Sequence, residues 1–171
     1  MDLAIRPEQP GDHASVRRVV EQAFGRRNEA DLVDKLHAAG RASIALVAVL
    51  DGSVVAHLLF SPVTLDPPRA SPLMLGLAPE AVQPLHQNKG IGSRLIRAGL
   101  EACREAGCDG VVVLGDPAFY SRFGFERASG RGLGNEYGAD EHFMALELRK
   151  GALDGLRGMV KYGPEFQETG T

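Results

Sequence analysis

The chain has 171 residues, of which 44% are hydrophobic and 24% charged, so it has enough apolar material for the core of one soluble domain. Its formal net charge of -3 argues against nucleic acid as a partner, because phosphate backbones select clustered positive charge. No apolar run is long enough to cross a bilayer and no basic-then-apolar segment opens the sequence, so we expect a cytoplasmic protein with no membrane partner.

The first sixty residues predict two helices between a short strand and a β-hairpin. Apolar residues recur at helical spacing in two segments, and Asp12 is placed to cap the first of them. Asp51 and Gly52 separate two β-rich runs and are typical of a hairpin turn. The elements predicted in chain order are a strand over 2–6, helices over 13–24 and 28–39, and strands over 43–50 and 53–60.

The remaining sequence predicts a strand–helix–strand unit, a short helix and a last strand. Pro79 lies inside the first of these strands and predicts a bulge or an unpaired edge. Residues 62–72 are predicted to be a loop, or a strand end followed by a loop. The other predicted elements are a strand over 74–82, a helix over 90–106, a strand over 110–116, a short helix from Pro117, a loop over 129–138 and a strand over 142–148. The apolar face of the long helix is predicted to contain Ile91, Leu95, Ala98, Ala102 and Ala106. We therefore expect one mixed α/β domain over residues 1–171.

The segment Gln87-Asn88-Lys89-Gly90-Ile91-Gly92, at the start of the long helix, carries the clearest chemical signal. Glycines let the backbone approach a ligand closely, and the first turn of a helix has free N–H donors at the positive end of its dipole. This combination predicts a site for phosphate oxygens. Glycines that only tighten a turn would explain the same residues.

Two familiar phosphate-binding motifs do not match this segment. A dinucleotide fingerprint needs a small residue where the chain has Leu95, and a strand immediately before the first glycine. A nucleotide P-loop needs lysine after the glycine, whereas Lys89 precedes Gly90.

A third pattern does match. Val82, Pro84, Gln87, Gly90 and Gly92 have the spacing V-x-P-x-x-Q-x-x-G-x-G, which resembles the acetyl-coenzyme A (acetyl-CoA) signature of the GNAT N-acetyltransferases. Further along, the segment 120–125 resembles the Tyr-x-x-x-Gly-Phe element that follows the fifth strand in that family. Outside these two segments the resemblance is diffuse, and in all it covers residues 2–167. The chain as a whole is similar to a bacterial subgroup of uncharacterised GNAT proteins.

The resemblance implies an α/β GNAT (acyl-CoA N-acyltransferase) fold, with a mixed central sheet splayed between its fourth and fifth strands and flanked by helices. It also implies transfer of an acetyl group from acetyl-CoA to a primary amine, directly within a ternary complex. The diphosphate would lie against backbone amides at the helix start, and pantetheine beside the fourth strand. The residues it assigns to acetyl-CoA are Ala81, Val82, Gln87, Asn88, Lys89, Gly90, Ile91, Gly92, Ser93, Asp116 and Ala118. A helix cap explains Asp116 equally well.

Two residues are candidates for acid and base chemistry. Glu80 shares a strand face with Val82 and could accept the amine proton, although a solvated glutamate at a strand end is an equal alternative. The resemblance places Tyr120 near the sulfur, where its hydroxyl would stabilise the departing thiolate; a tyrosine of the core is the alternative. His57 could act through water or could simply be packed.

The remaining predictions concern metals, thiols and partners. The five histidines show no ligand spacing, so no metal is expected. Cys103 and Cys108 are expected to be buried thiols unsuited to an acyl-enzyme. The acceptor is a small-molecule or protein amine of unknown identity, and homodimers are common in this fold without being demonstrated by this sequence. The alternative function is a non-catalytic acyl-CoA sensor of the same fold.

Overall fold

The computed structural model describes residues 2–171, which form two compact units. The first unit contains the chain up to Ser61, together with Ala78–Ala102 and Pro164–Thr171. The second contains Pro62–Leu77 and Cys103–Gly163. The expectation that residues 1–171 act as a single domain stays a prediction.

Each predicted helix and strand is present close to its predicted bounds. The strands are β1 (Leu3–Pro7), β2 (Ile44–Leu50), β3 (Ser53–Pro62), β4 (Thr64–Asp66), β5 (Met74–Val82), β6 (Gly110–Leu114), β7 (Glu126–Arg127), β8 (Leu133–Asn135), β9 (Phe143–Glu147) and β10 (Gly158–Lys161). The α-helices are α1 (His13–Phe24), α2 (Asn28–Ala38), α3 (Ile91–Glu105), α4 (Pro117–Tyr120) and α5 (Pro164–Glu168). Short 3-10 helices cover Pro10–Asp12, Pro84–His86, Ser121–Phe123, Ala128–Arg131 and Asp140–His142.

The sheet of the first unit has the strand order β1-β2-β3-β5. β1 pairs antiparallel with β2, and β2 pairs antiparallel with β3. The predicted hairpin between β2 and β3 is confirmed, with Asp51 at φ 49° and Gly52 at φ 85°. Two consecutive positive φ angles are what a tight turn between twisted antiparallel strands requires.

Helix α3 approaches the sheet of the first unit closely through Gly99. A Cβ atom there would lie 2.6 Å from Leu58 Cδ2 and 2.7 Å from Phe60 Cε1, too close for a real side chain. The predicted apolar face of α3 was therefore partly wrong, because the helix is rotated so that its glycine faces β3. The buried residues of α3 are Ile91, Leu95, Ile96, Gly99, Leu100 and Cys103, whereas Ala106 is exposed.

The Asp12 side chain does not cap α1, contrary to the prediction. It lies at the N-cap position, but no hydrogen bond joins it to the helix. Instead its two oxygens accept hydrogen bonds from Arg6 at 2.7 and 2.9 Å, and one also accepts from the Gln9 amide at 2.7 Å. The guanidinium of Arg6 and the Gln9 amide lower the pKa of Asp12 to about 2, because both favour the ionised carboxylate.

The second unit contains two groups of paired strands. In the first, β5 pairs parallel with β6, β6 antiparallel with β9, and β9 antiparallel with β7. The second is the three-stranded sheet β4-β10-β8. β4 and β8 fall in segments predicted as loops, and β7, β10 and α5 were not predicted.

The parallel pairing of β5 with β6 runs only from Met74 opposite Gly110 to Gly76 opposite Val112. It ends before Pro79, as expected for a residue with no N–H to donate. The β6 side of β5 is therefore unpaired at Pro79, in agreement with the predicted unpaired edge.

Both cysteines are buried and carry free thiols, as predicted. Within residues 2–171, no helix combines the length and the apolar character that crossing a membrane would need.

Candidate functional site

The turn that leads into α3 has an unusual backbone. After the 3-10 helix Pro84–His86, Gln87 is extended, and Asn88 and Gly90 have φ angles of 62° and 81°. Asparagine and glycine are the residues that adopt this left-handed region most readily. Residues 87–90 are exposed, so their backbone is open to a ligand from solvent.

The first turn of α3 is also accessible to a ligand. α3 has 15 residues and begins at Ile91, so the amides of Ile91, Gly92 and Ser93 have no acceptor within the helix. A Cβ atom at Gly92 would lie 3.5 Å from Val82 Cγ2 and 3.8 Å from both carboxylate oxygens of Glu80. A side chain at Gly92 would therefore be in van der Waals contact with these two residues, which places the first turn of α3 directly beside the end of β5.

Glu80 lies beside this first turn, and its carboxyl group is largely removed from water. Its Oε2 atom is buried and has no hydrogen-bond partner among the described residues. Burial raises the pKa of Glu80 to about 8, because desolvation disfavours the charged form. The alternative of a solvated glutamate at a strand end is therefore wrong.

The end of β5 is tied to the turn by Gln87. The side-chain amide of Gln87 donates a hydrogen bond of 2.9 Å to the carbonyl oxygen of Val82. Next to it, the backbone amide of Gln83 donates to the Val55 carbonyl of β3 at 2.8 Å. Ala81 is buried on the other face of the strand. The structure thus brings Glu80, Ala81, Val82 and residues 87–93 together within the first unit.

The remaining predicted site residues lie together in the second unit, around α4. Asp116 is the N-cap of α4, and its Oδ1 atom accepts a hydrogen bond of 3.0 Å from the Ala118 amide. The cap explanation of Asp116 is confirmed. Whether Asp116 and Ala118 also contact a cofactor stays a prediction.

Tyr120 is buried within an aromatic cluster of the same unit. Its ring meets Phe119 edge-to-face at a centroid distance of 5.0 Å and Phe125 at 5.6 Å. A Cβ atom at Gly115 would collide with the Tyr120 ring, so this glycine is required for the ring position. Tyr120 is a core tyrosine by packing, which leaves its catalytic role a prediction.

One constellation could not be seen in the sequence. Glu8, His37 and His57 are far apart along the chain, but their side chains meet in the first unit. No spacing rule would have found them, because the loop after β1, helix α2 and strand β3 supply one residue each.

Comparison with known proteins identifies the family. Residues 4–128 match the family described as Acetyltransferase (GNAT) domain. The chain is 36% identical to the uncharacterized N-acetyltransferase YhbS of Escherichia coli K12 over 166 residues, covering 96% of this chain and 98% of that protein. It is 44% identical to the uncharacterized N-acetyltransferase YjhQ of the same strain over 121 residues, covering 70% of this chain and 67% of that protein.

Solved structures agree. The crystal structure of E. coli YhbS in complex with CoA matches with a TM-score of 0.91 at 35% identity, covering 96% of this chain and 92% of that chain. A GNAT family acetyltransferase from Brucella melitensis, in complex with acetyl-CoA, matches with a TM-score of 0.81 at 36% identity, covering 96% of this chain and 98% of that chain.

The chain therefore belongs to the GNAT acetyltransferase family. Its fold is the GNAT fold, a mixed α/β arrangement with a mostly antiparallel central sheet flanked by helices.

We expect Glu80→Gln to remove a pH-dependent loss of stability. Unfolded Glu80 releases its proton near pH 4.5, whereas the folded protein retains it up to about pH 8. Between these values the folded state binds more protons, so the free energy of unfolding falls as pH rises, by at most about 5 kcal/mol. Glutamine has no proton to lose. In urea denaturation at about pH 5 and about pH 9, the variant should lose less stability than the wild type.

The matched control is Glu105→Gln, which changes an exposed glutamate of α3. It should keep the wild-type pH dependence. Equal pH dependence of Glu80→Gln and wild type would show that the folded state does not hold a proton on Glu80.

Proposed function

We propose that the protein is an acetyl-CoA-dependent N-acetyltransferase that transfers the acetyl group directly to a primary amine in a ternary complex. The observation that carries this proposal is the exposed turn 87–90 leading into the first turn of α3, whose amides have no acceptor within the helix. The binding of CoA by E. coli YhbS and of acetyl-CoA by the Brucella melitensis protein supports the choice of donor.

The proposed donor contacts are mainly backbone contacts. The amides of residues 87–93, including Asn88, Gly90 and Ile91, would hold the diphosphate at the positive end of α3. Lys89, which is exposed, would add a positive charge, and Ser93 a hydroxyl donor. The backbone of Ala81 and Val82 would pair with the pantetheine amides. We retain Asp116 and Ala118 as proposed contacts in the second unit, although the Ala118 amide already donates to Asp116.

The acceptor must lose a proton before it attacks. An amine with a pKa of about 10.4 lies about 3.4 units above pH 7, so its neutral form costs about 4.6 kcal/mol. Glu80 is the proposed general base. Because burial raises its pKa to about 8, it becomes a stronger base than an ordinary carboxylate, but it is mostly protonated at neutral pH. The rate should therefore rise with pH.

The departing thiolate requires stabilisation in turn. Tyr120 is the proposed donor, since a phenol of pKa near 10 can hydrogen-bond to a thiolate of pKa near 8.5 without giving up its proton. Its hydroxyl would then act by charge stabilisation.

Both cysteines are buried, Cys103 within α3 and Cys108 after it. Neither thiol is exposed to a substrate, which favours direct transfer.

The deciding experiment is an acceptor screen that follows free thiol release from acetyl-CoA across small amines, amino acids and lysine peptides. Amine-dependent thiol release would support the proposal. Tight acetyl-CoA binding without turnover on any amine would instead favour the non-catalytic sensor.

We expect Gly92→Glu to abolish donor binding, because the new carboxylate would fill the space beside the first turn and repel the diphosphate. Thermal unfolding with acetyl-CoA measures this. At 100 times its Kd the donor should stabilise the wild type by about 2.7 kcal/mol and the variant not at all. Gly130→Glu is the matched control, since it adds the same charge at an open position with no left-handed φ. Retained binding by Gly92→Glu would contradict the proposed site.

We expect Glu80→Gln to lower kcat/KM by about 10²–10⁴ at high pH, where the wild-type carboxylate is ionised and accepts the proton. The wild-type profile of kcat/KM should rise through about pH 8, and the variant should lack this rise. A rise that persists in the variant would assign the base to another group. If donor affinity, and not kcat, changed near pH 8, Glu80 would act in donor binding.

We expect Tyr120→Phe to lower kcat by at least about 10-fold with little change in donor affinity, because the hydroxyl proposed to stabilise the thiolate is removed. Steady-state kinetics and acetyl-CoA titration measure the two effects. Tyr137→Phe is the control, since this tyrosine is 39% exposed and lies in the same unit. Wild-type kcat in Tyr120→Phe would rule out stabilisation of the thiolate by the Tyr120 hydroxyl.

A further inference from the structure

Three potential metal ligands converge in the first unit. The Nε2 atom of His57 lies 2.8 Å from Oε1 of Glu8, and the Nε2 atom of His37 lies 3.1 Å from the same oxygen. All three donor atoms lie within 4.8 Å of one another. Each comes from a different element: Glu8 follows β1, His37 lies in α2 and His57 in β3.

The cluster is shielded on one side and accessible on the other. The His57 side chain is fully buried and that of Glu8 is 6% exposed, whereas that of His37 is 37% exposed. An ion could therefore enter past His37 and lose most of its water between the other two residues. The inner position of His57 and Glu8 makes the arrangement a built feature of the core and not a chance surface cluster.

The donor types of the cluster suit a cation. One carboxylate oxygen and two imidazole nitrogens converge, and all three bind a metal ion in their deprotonated forms.

We propose that Glu8, His37 and His57 form a binding site for a divalent transition metal ion, with Zn²⁺ as the best match. Two imidazole nitrogens and one carboxylate oxygen are an established zinc donor set that leaves a fourth position open. With bonds of about 2.0–2.1 Å, tetrahedral donors lie about 3.3 Å apart. The two histidine–glutamate distances are shorter than this by only a few tenths of an ångström.

The buried histidine can adopt the tautomer that binding requires. A metal on Nε2 leaves the imidazole proton on Nδ1. Nδ1 of His57 is buried without a hydrogen-bond partner among the described residues, so no donor opposes this tautomer, and its N–H would have no protein acceptor among them. Metal binding would thus replace two hydrogen bonds to Glu8 by three coordination bonds.

The proposal is independent of acetyl transfer and is tested by metal binding alone. Protein treated with a chelator and dialysed would be titrated with Co²⁺, followed by visible absorption, and with Zn²⁺, followed by calorimetry and thermal unfolding. We expect one ion per chain, the intense absorption of a four-coordinate cobalt site, and a higher melting temperature with Zn²⁺.

Variants separate this site from chance binding. His37→Ala removes the most exposed ligand, and Glu8→Gln keeps the shape of the carboxylate but removes its charge. Both should lower affinity at least tenfold, with circular dichroism to verify folding. His13→Ala is the matched control, because His13 is an exposed histidine of the same unit, paired with Asp34 at 3.4 Å. It should bind metal like the wild type.

The absence of a cobalt spectrum and of zinc uptake in the wild type would overturn the proposal. Equal affinity in wild type and His37→Ala would do so as well, because the bound ion would then lie elsewhere.

Discussion

The packing of α3 against the sheet of the first unit is the constraint on which the candidate donor site depends. Gly99 brings the helix so close to Leu58 and Phe60 of β3 that a Cβ atom at this position would force these two side chains to move. The same packing sets the first turn of α3 beside Glu80 and Val82 of β5. The core thus fixes the positions of the amides in the first turn of α3. The exposed loop before this turn only reverses the direction of the chain. Donor binding would then require little ordering of the chain, which lowers its entropic cost.

The electrostatics of this turn follow from a competition between burial and the helix dipole. A carboxylate beside the start of a helix is favoured by the dipole, whereas desolvation favours the neutral acid. For Glu80, burial raises the pKa to about 8. A neutral Glu80 leaves the positive potential of the first turn available to an external anion. Once a diphosphate is bound there, its charge would further oppose ionisation of Glu80, so the base would act at a higher pH in the ternary complex.

The sequence predicted those parts of the fold that local patterns specify. The hairpin at Asp51-Gly52 and helix α3 follow from turn chemistry and apolar periodicity. The sequence mispredicts the buried face of α3. Alanines at helical spacing suggest that they are buried, whereas in the structure close packing buries Gly99 and Ile96. β4, β8 and β10 were missed because each has only three or four residues and pairs with distant parts of the chain. The backbone site at 87–92 could be read from a motif, whereas the burial of Glu80 required the packed structure.

Two buried carboxylates of the first unit show why sequence alone cannot assign protonation states. Glu8 and Glu80 are both shielded from water, yet the pKa of Glu8 lies below its usual value and that of Glu80 well above it. The difference lies in their partners, since two histidines contact Glu8 and Oε2 of Glu80 has none among the described residues. Alternation along β3 keeps the two environments apart: His57 faces Glu8 and α2, whereas Leu58 and Phe60 face α3. One sheet can therefore hold an anionic, cation-binding carboxylate on one face and a proton-retaining carboxyl group on the other.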